Sequence, residues 1–231
     1  VDGPYTDGRH PDTVSFTSRL ELDLSRRDFT INAIAYAPRT GLIDPFGGQQ
    51  DLRKRQIRCV GEPQRRFAED ALRILRALRF SSTLGFSIAP DTALAVHANA
   101  PLLGQVSAER ITQEFEKLLL GENAGQLLAD YTDVIGCFLP GFSAPDLPIS
   151  RLPQQIAVRL AAAGACYPPD RFGQRLQALK FPHETVRLAV LLRRLLELPL
   201  PGTRTAIRRA LHLAGPDALA QSFLMQAARG K

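Results

Sequence analysis

The spacing of apolar residues changes once along the chain, near Glu62. Before that point, short apolar stretches are broken by proline and glycine, and they predict brief strands and helices. After it, apolar residues such as Phe67, Ala71 and Leu75 recur with the period of packed helices. The fold is therefore predicted to be α+β and mostly α, with an incomplete α/β segment followed by a longer all-helical portion.

Short elements of both kinds are predicted before Glu62. Residues 2–12 combine glycine, proline and charge without an apolar period, which predicts a mobile loop. Then follow a half-buried strand in 13–22, a helix from about Asp28 to Tyr36, a strand entering a turn in 41–48, a polar helix in 49–56 and a strand in 57–61. So few strands do not make a stable sheet, so we expect that more of this domain precedes residue 1.

Helices are predicted throughout the remainder. One begins near Glu62 and carries the apolar stripe through 80, and another in 107–121 has Ser107 near its start and Gly121 just past its end. The other predicted helices lie in 89–106, 123–138, 151–165, 172–180, 184–198, 203–215 and 217–230.

Charge and cysteine usage narrow the classes of protein. The 29 basic residues, against 23 acidic ones, give a net charge of +6, and nearly all of them are arginine, whose planar fork suits phosphates and base edges. Cys59, Cys137 and Cys166 are far apart, so neither a zinc site nor a disulfide framework is predicted. No apolar run approaches the roughly 20 residues of a membrane span, and no signal peptide is recognisable, so we expect a cytoplasmic protein without a membrane partner.

Charged residues recur at three-residue intervals in the otherwise apolar segment EDALRILRALRF, residues 69–80. On one continuous helix, Asp70 and Arg73 would share a face, followed by Arg76 and Arg79. An acid beside an arginine offers the acceptor and donors that pair with a base edge, and the later arginines could neutralise a triphosphate. An ordinary ion pair with solvated arginines is the simpler interpretation, and both stay open.

Two other segments are open in the same way. In RRDFTINA, residues 26–33, Arg27 could contact a phosphate or base and Asp28 or Asn32 a ribose hydroxyl, although an acid at a helix start is the simpler interpretation. In DPFGGQQDL, residues 44–52, Asp44 and Asp51 could bind a metal, although a tight turn followed by a helix start explains them more simply.

Three segments together resemble one family: RRDFTINAIAY, DPFGGQQDLRKRQIRCVGEPQRRFAEDALRILRALRF and ERITQEFEKLL. In this order and spacing they resemble the class II tRNA nucleotidyltransferases and poly(A) polymerases, within the polymerase β-like nucleotidyltransferases. The resemblance is close over about residues 3–120. It implies the C-terminal part of a nucleotidyltransferase head in 1–61, a neck with a nucleotide-selecting helix in 62–121 and a helical, RNA-binding body, truncated at its end, in 122–231.

The resemblance also implies roles for the residues of the EDxxR motif. Asp70 and Arg73 would form a protein template that pairs with CTP or ATP, and Glu69 would hold Arg73. Arg76 and Arg79 match family arginines that contact the nucleotide.

The other matched segments receive implied roles as well. Arg27 would also contact the nucleotide, Asp28 would meet the ribose, and Asn32 would support this site. Glu109 and Arg110 begin a helix that would brace the template helix.

Residues 3–11 look like the family's flexible loop, which would place Asp7 and Arg9 in an element that helps the switch from C to A addition. The family's phosphate loop and metal-binding aspartates lie upstream of this loop and have no counterpart here. The resemblance therefore implies that Mg²⁺ is bound by residues upstream of this chain, and that the chain alone is an inactive fragment.

The function implied for the complete protein is template-independent addition of CCA, or part of it, to the 3′ end of tRNA. Poly(A) polymerase activity and CC-only or A-only addition remain open, as does a non-catalytic module that binds RNA or nucleotides. The sequence does not determine the oligomeric state.

Overall fold

The computed structural model describes residues 19–230, which form two compact units that divide between Val106 and Ser107. Both units are mostly helical, as the sequence predicts. The three-part division at residues 61 and 121 stays a prediction, and the predicted loop in 2–12 lies outside the described residues. Within the described range, no helix is both long enough and apolar enough to cross a bilayer.

The first unit combines short strands with five helices in its described part. The helices are α1 (Leu20–Ser25), α2 (Gly48–Lys54), α3 (Pro63–Glu69), α4 (Leu72–Leu84) and α5 (Pro90–Asn99), with 3₁₀ turns at Thr30–Asn32 and Ala100–Gln105. The strands are β1 (Ala35–Ala37), antiparallel to β2 (Gly41–Ile43), and β3 (Gln56–Ile57), parallel to β4 (Ser87–Ile88). The sequence correctly predicts strand β2, helix α2 and strand β3. Strand β3 starts one residue earlier than predicted.

The strand predicted in residues 13–22 is wrong where the structure describes it, because residues 20–22 belong to α1. Alternation of Val14 and Phe16 with polar neighbours suggested a strand. In the helix, Leu24 enters the core, and Asp23 pairs one turn later with Arg26 at 2.6 Å.

The helix predicted from Asp28 to Tyr36 is also wrong, because only a 3₁₀ turn forms before the chain enters β1. Contacts with a distant segment hold the start of this region extended. The Thr30 amide donates to the Arg58 carbonyl at 2.9 Å, and the Val60 amide donates to the Asp28 carbonyl at 3.1 Å. A short apolar run does not reveal such pairing.

Helix α2 packs tightly on the 3₁₀ turn through Gly48. Its first amides are capped by Asp44, whose two carboxylate oxygens accept from Gly48 at 2.7 Å and Gln49 at 2.8 Å. Burial works to raise the pKa of Asp44, but these backbone hydrogen bonds outweigh it and the pKa is lowered. A Cβ added to Gly48 would lie 2.1 Å from the Thr30 carbonyl oxygen, so only glycine fits here.

We expect Gly48→Ala to lower the free energy of unfolding by about 1–3 kcal/mol, because the turn or the helix must shift to accept the methyl group. Urea denaturation measures this change. Gly104→Ala is the matched control, since no described atom lies within 4 Å of a Cβ added there. Equal stability losses in the two variants would contradict the close approach of α2 to the turn.

The second unit contains the predicted helices in sequence order, except that the one helix predicted in 123–138 is two helices, because the backbone at Tyr131 (φ −117°, ψ 36°) is not helical. They are α6 (Ala108–Leu120), α7 (Ala124–Asp130), α8 (Thr132–Gly136), α9 (Ile156–Ala163), α10 (Pro169–Ala178), α11 (His183–Glu197), α12 (Arg204–Ala214) and α13 (Pro216–Arg229), with 3₁₀ turns at Ile149–Arg151 and Gly164–Cys166. At its core, α11 packs against α9, α10 and α13.

A buried arginine ties the end of α6 into this core. Arg159 on α9 donates to the carbonyl oxygens of Leu119 at 2.6 Å and Gly121 at 2.7 Å. These carbonyls lie at the C-terminal end of α6, where helical acceptors have no partner within the helix. Arg159 is therefore a structural residue, and burial lowers the pKa of its guanidinium.

Candidate nucleotide-binding site

The EDxxR motif lies at a break between two helices, and this corrects the prediction of one continuous helix. Asp70 is extended, with φ −149° and ψ 104°, between the end of α3 and the start of α4. Its Oδ1 atom accepts from the Leu72 amide at 3.1 Å, and its carbonyl accepts from the Arg73 amide at 3.0 Å. Asp70 thus caps α4, because its side chain accepts from a backbone amide at the start of that helix in place of a backbone carbonyl.

Arg73 is held rigidly in the first turn of α4. Its Nη1 atom donates to Glu69 Oε2 at 2.9 Å and to the Arg66 carbonyl at 3.2 Å, and its Nη2 atom donates to the Arg26 carbonyl at 3.2 Å. Within the described chain these bonds use three of the five guanidinium N–H groups, which leaves two for a ligand. The contact that joins Glu69 to Arg73 is present, while its role in selection stays a prediction.

Asp28 and Arg76 form a second fixed pair. Both Nε and Nη2 of Arg76 donate to Asp28 Oδ2, at 2.8 and 2.6 Å. The other oxygen of Asp28 accepts from the Phe29 amide at 2.9 Å and from Asn32 Nδ2 at 3.0 Å. This pair therefore anchors the 3₁₀ turn to α4, and the predicted contact of Asp28 with a ribose stays a prediction.

These residues line an open cleft of about 480 Å³ in the first unit. Its lining residues are Arg26, Arg27, Asp28, Asn32, Asp70, Arg73, Arg76 and Phe80. Six of the residues predicted from the sequence thus meet at one place, although they come from two separate segments, within 27–32 and 70–76. Four arginines and two aspartates give the cleft a cationic wall with acidic acceptors, which suits an anionic ligand that also carries hydrogen-bond donors.

Phe80, which has no role predicted from the sequence, packs against two arginines of α4. The Arg79 guanidinium lies 3.6 Å from the centroid of the Phe80 ring, and that of Arg76 lies 5.4 Å away. The edge of Phe80 packs on the buried Phe29, with ring centroids 5.7 Å apart. Arg79 itself is not among the residues that line the cleft, and its predicted contact with the nucleotide stays a prediction.

The acidic residues described here do not fit a metal centre. Among residues 19–230, no group of three or more His, Cys, Asp or Glu side chains is placed to hold an ion. Asp44 caps α2, and Asp51 accepts from Thr30 Oγ1 at 2.7 Å and pairs with Arg58 at 3.4 Å. Neither aspartate is therefore assigned to a metal.

Cys59 lies in the core of the first unit and is not a nucleophile. Burial raises the pKa of its thiol to about 12, with a smaller contribution in the same direction from the charge of Asp28. The thiol is therefore protonated at neutral pH and acts as a small apolar side chain.

The remaining predicted site residues lie elsewhere. Glu109 and Arg110 lie in the first turn of α6 in the second unit, and their bracing role stays a prediction. Asp7 and Arg9 lie outside the described residues.

Comparisons with known proteins agree on one family. Residues 1–58 match the family described as Poly A polymerase head domain, and residues 85–142 match the Probable RNA and SrmB- binding site of polymerase A. The CCA-adding enzyme of Geobacillus thermodenitrificans is 53% identical over 144 residues, which are 62% of this chain and 36% of that protein. The chain thus matches little more than a third of that relative's length.

Solved structures show the same relationship. The crystal structure of the Bacillus stearothermophilus CCA-adding enzyme in complex with CTP is 38% identical, with a TM-score of 0.77 over 98% of this chain and 58% of that one. Two CCA-adding enzymes of similar fold, one solved with ATP and the other, from Thermotoga maritima, with tRNA, are 24% and 23% identical, with TM-scores of 0.69 and 0.65. The chain is thus similar to CCA-adding enzymes, and its residues 1–58 match the poly(A) polymerase head domain family.

Proposed function

We propose that the complete protein carrying this chain adds cytidine and adenosine to the 3′ end of tRNA, using CTP and ATP without a nucleic-acid template. The observation that carries this proposal is the convergence of Asp70 and Arg73 in a cleft lined by further arginines. The CTP complex of the Bacillus stearothermophilus relative supports it.

The chemistry of the bases explains why an aspartate and an arginine suit this selection. Cytosine and adenine both place an exocyclic amino donor beside a ring-nitrogen acceptor, whereas uracil and guanine place a carbonyl oxygen at the position of that amino group. The Asp70 carboxylate accepts from the amino group, and the remaining N–H groups of Arg73 donate to the acceptors. A carbonyl facing the carboxylate would instead leave two acceptors opposed, which is costly in a desolvated site.

The other arginines of the cleft suit the triphosphate. The Arg27 side chain is half exposed and shares Asp23 with Arg26, so it reaches a ligand without losing a buried partner. Arg76 lies deeper, fixed on Asp28. A triphosphate bound beside these arginines would accept charge-assisted hydrogen bonds from them.

The described residues are assigned binding and selection only. The family consists of metal-dependent nucleotidyltransferases, but Asp44 caps α2 and Asp51 pairs with Arg58, so no metal-dependent step is assigned to them.

Poly(A) polymerase activity is the second candidate, because the matching family model describes the head domain of that enzyme. The two activities differ in their need for CTP. A CCA-adding enzyme requires CTP before ATP on a tRNA that lacks CCA, whereas a poly(A) polymerase extends RNA with ATP alone.

Incubation of the complete protein with tRNA lacking CCA tests this difference. We expect CTP alone to add cytidines only, and CTP with ATP to restore CCA and then stop, as read from product length on a sequencing gel. A tRNA that already ends in CCA is the control and should not be extended. Long adenosine tracts made without CTP would contradict CCA addition and support the poly(A) polymerase.

A further inference from the structure

Arg66 on α3 donates three side-chain hydrogen bonds near the cleft, although it lies outside both the EDxxR motif and the cleft lining. Its Nε atom donates to the Val60 carbonyl at 2.9 Å, and its Nη1 atom donates to Glu69 Oε2 at 2.8 Å. Its Nη2 atom donates to the Ser25 carbonyl. With its side chain only 16% exposed, Arg66 joins three segments of the first unit.

The contacts of Arg66 coincide with those of Arg73. Both guanidinium groups donate to the same oxygen, Glu69 Oε2, at 2.8 and 2.9 Å. Arg66 holds the carbonyl of Ser25, and Arg73 holds the next carbonyl, that of Arg26. The backbone carbonyl of Arg66 is itself an acceptor for Arg73. Glu69, which accepts from Arg73, is therefore also held by the Arg66 side chain. The Arg26 carbonyl lies next to the Ser25 carbonyl that Arg66 holds, and the third acceptor belongs to the backbone of Arg66.

We propose that Arg66 is a positioning residue for base selection, because it sets Glu69 and the 25–26 segment at the places from which they aim the Arg73 fork. This inference rests on the proposed function. Selection by hydrogen bonds depends on the supporting shell, since a displacement of about 1 Å weakens both the correct pairing and the penalty for the wrong one.

Arg65 provides a matched control on the same helix. It also pairs with Glu69, with Nε 3.4 Å from Oε1, but its side chain is 79% exposed. An exposed pair of this kind contributes little to orientation or stability. Replacing either arginine with lysine keeps one positive charge near Glu69, so a difference between the two variants reports the buried fork and not the charge.

The test measures kcat/KM for CTP and UTP with the complete protein and tRNA lacking CCA, in wild type, Arg66→Lys and Arg65→Lys. Lysine keeps the charge but cannot bind three divergent acceptors as a planar fork does. We expect Arg66→Lys to lower the CTP-to-UTP ratio roughly tenfold, about 1.4 kcal/mol, and Arg65→Lys to leave it within about twofold. Thermal unfolding is recorded for each variant.

A double-mutant cycle with Glu69→Gln shows whether Arg66 acts through Glu69. We expect the double variant to lose little more selection than the more impaired single variant, because both changes release the same group. Fully additive losses overturn the positioning role, as does an Arg66→Lys protein with an unchanged ratio or one that loses its fold instead of its selection. A wild-type protein that adds neither nucleotide would instead overturn the proposed function.

Discussion

Arg73→Ala is expected to remove most of the discrimination between CTP and UTP in the complete protein. A well-formed two-bond contact to a base edge contributes about 1–3 kcal/mol of discrimination, so the CTP-to-UTP ratio of kcat/KM should fall by about 5- to 150-fold. The physical reason is that alanine leaves the acceptors of the correct base unpaired and no longer opposes the ring N–H that uracil presents in place of the ring-nitrogen acceptor of cytosine, so only Asp70 still discriminates. Steady-state kinetics on tRNA lacking CCA, with each nucleotide supplied separately, measures this ratio.

Arg73→Lys separates geometry from charge. Lysine retains the positive charge for the Glu69 carboxylate, but its ammonium group does not present two coplanar donors to a base while bonded to three protein acceptors. We therefore expect Arg73→Lys to recover stability more fully than selection. Wild-type selection in this variant would show that a point charge suffices, and it would contradict the template role of the arginine fork.

Thermal unfolding of both variants is the necessary companion measurement, since the guanidinium also bonds the Arg26 and Arg66 carbonyls. Its loss takes one donor from the exposed contact at the Arg26 carbonyl and one from the partly buried Arg66 carbonyl, which still accepts from the Asp70 amide at 3.4 Å, so the cost in stability should lie near the lower end of about 1–3 kcal/mol. A change in the CTP-to-UTP ratio measured well below the unfolding temperature reports selection in the folded protein.

The sequence predicted most of the helical elements because their information is local. Apolar residues at the helical period and terminal residues such as Ser107 and Gly121 mark α6 within one stretch of chain. The strand β1 was missed because its partner, β2, is brought to it only by the turn between them, and the apolar run before Pro38 is compatible with a helix as well.

Six of the predicted site residues line one cleft, but the local geometry of Asp70 and Arg73 was not predicted. Asp70 and Arg73 meet as expected, yet they do so at a helix break that the apolar period does not reveal, because both helices continue the same stripe of apolar residues. At the break, the Leu72 amide donates to the Asp70 side chain and not to a helical carbonyl. The acid therefore faces the cleft from extended backbone and not from the face of a helix.

The supporting residues were missed for a different reason. The partners of Arg66 include a carbonyl 41 positions earlier in the chain, and one sequence gives no sign of such a contact. Phe80, in contrast, ends the quoted motif directly after Arg79, and an aromatic residue next to an arginine ridge was a usable signal.

Leu75→Ala is expected to lower the free energy of unfolding by about 2–5 kcal/mol, because the Leu75 side chain is fully buried and alanine leaves a cavity on the core face of α4. Urea denaturation provides the measurement. The variant should keep the CTP-to-UTP ratio at temperatures where it is folded, since Leu75 lies outside the residues that line the cleft.

Leu84→Ala is the matched control, because it deletes the same atoms from the last residue of the same helix, where the side chain is 42% exposed. We expect it to change the free energy of unfolding by less than about 1 kcal/mol. Loss of selection in Leu75→Ala without loss of stability would contradict the division of α4 into a packing face and a selecting end. This division is supported if Leu75→Ala lowers stability and keeps selection, while the Arg73 variants lower selection. Helix packing and base selection would then respond to separate changes two positions apart.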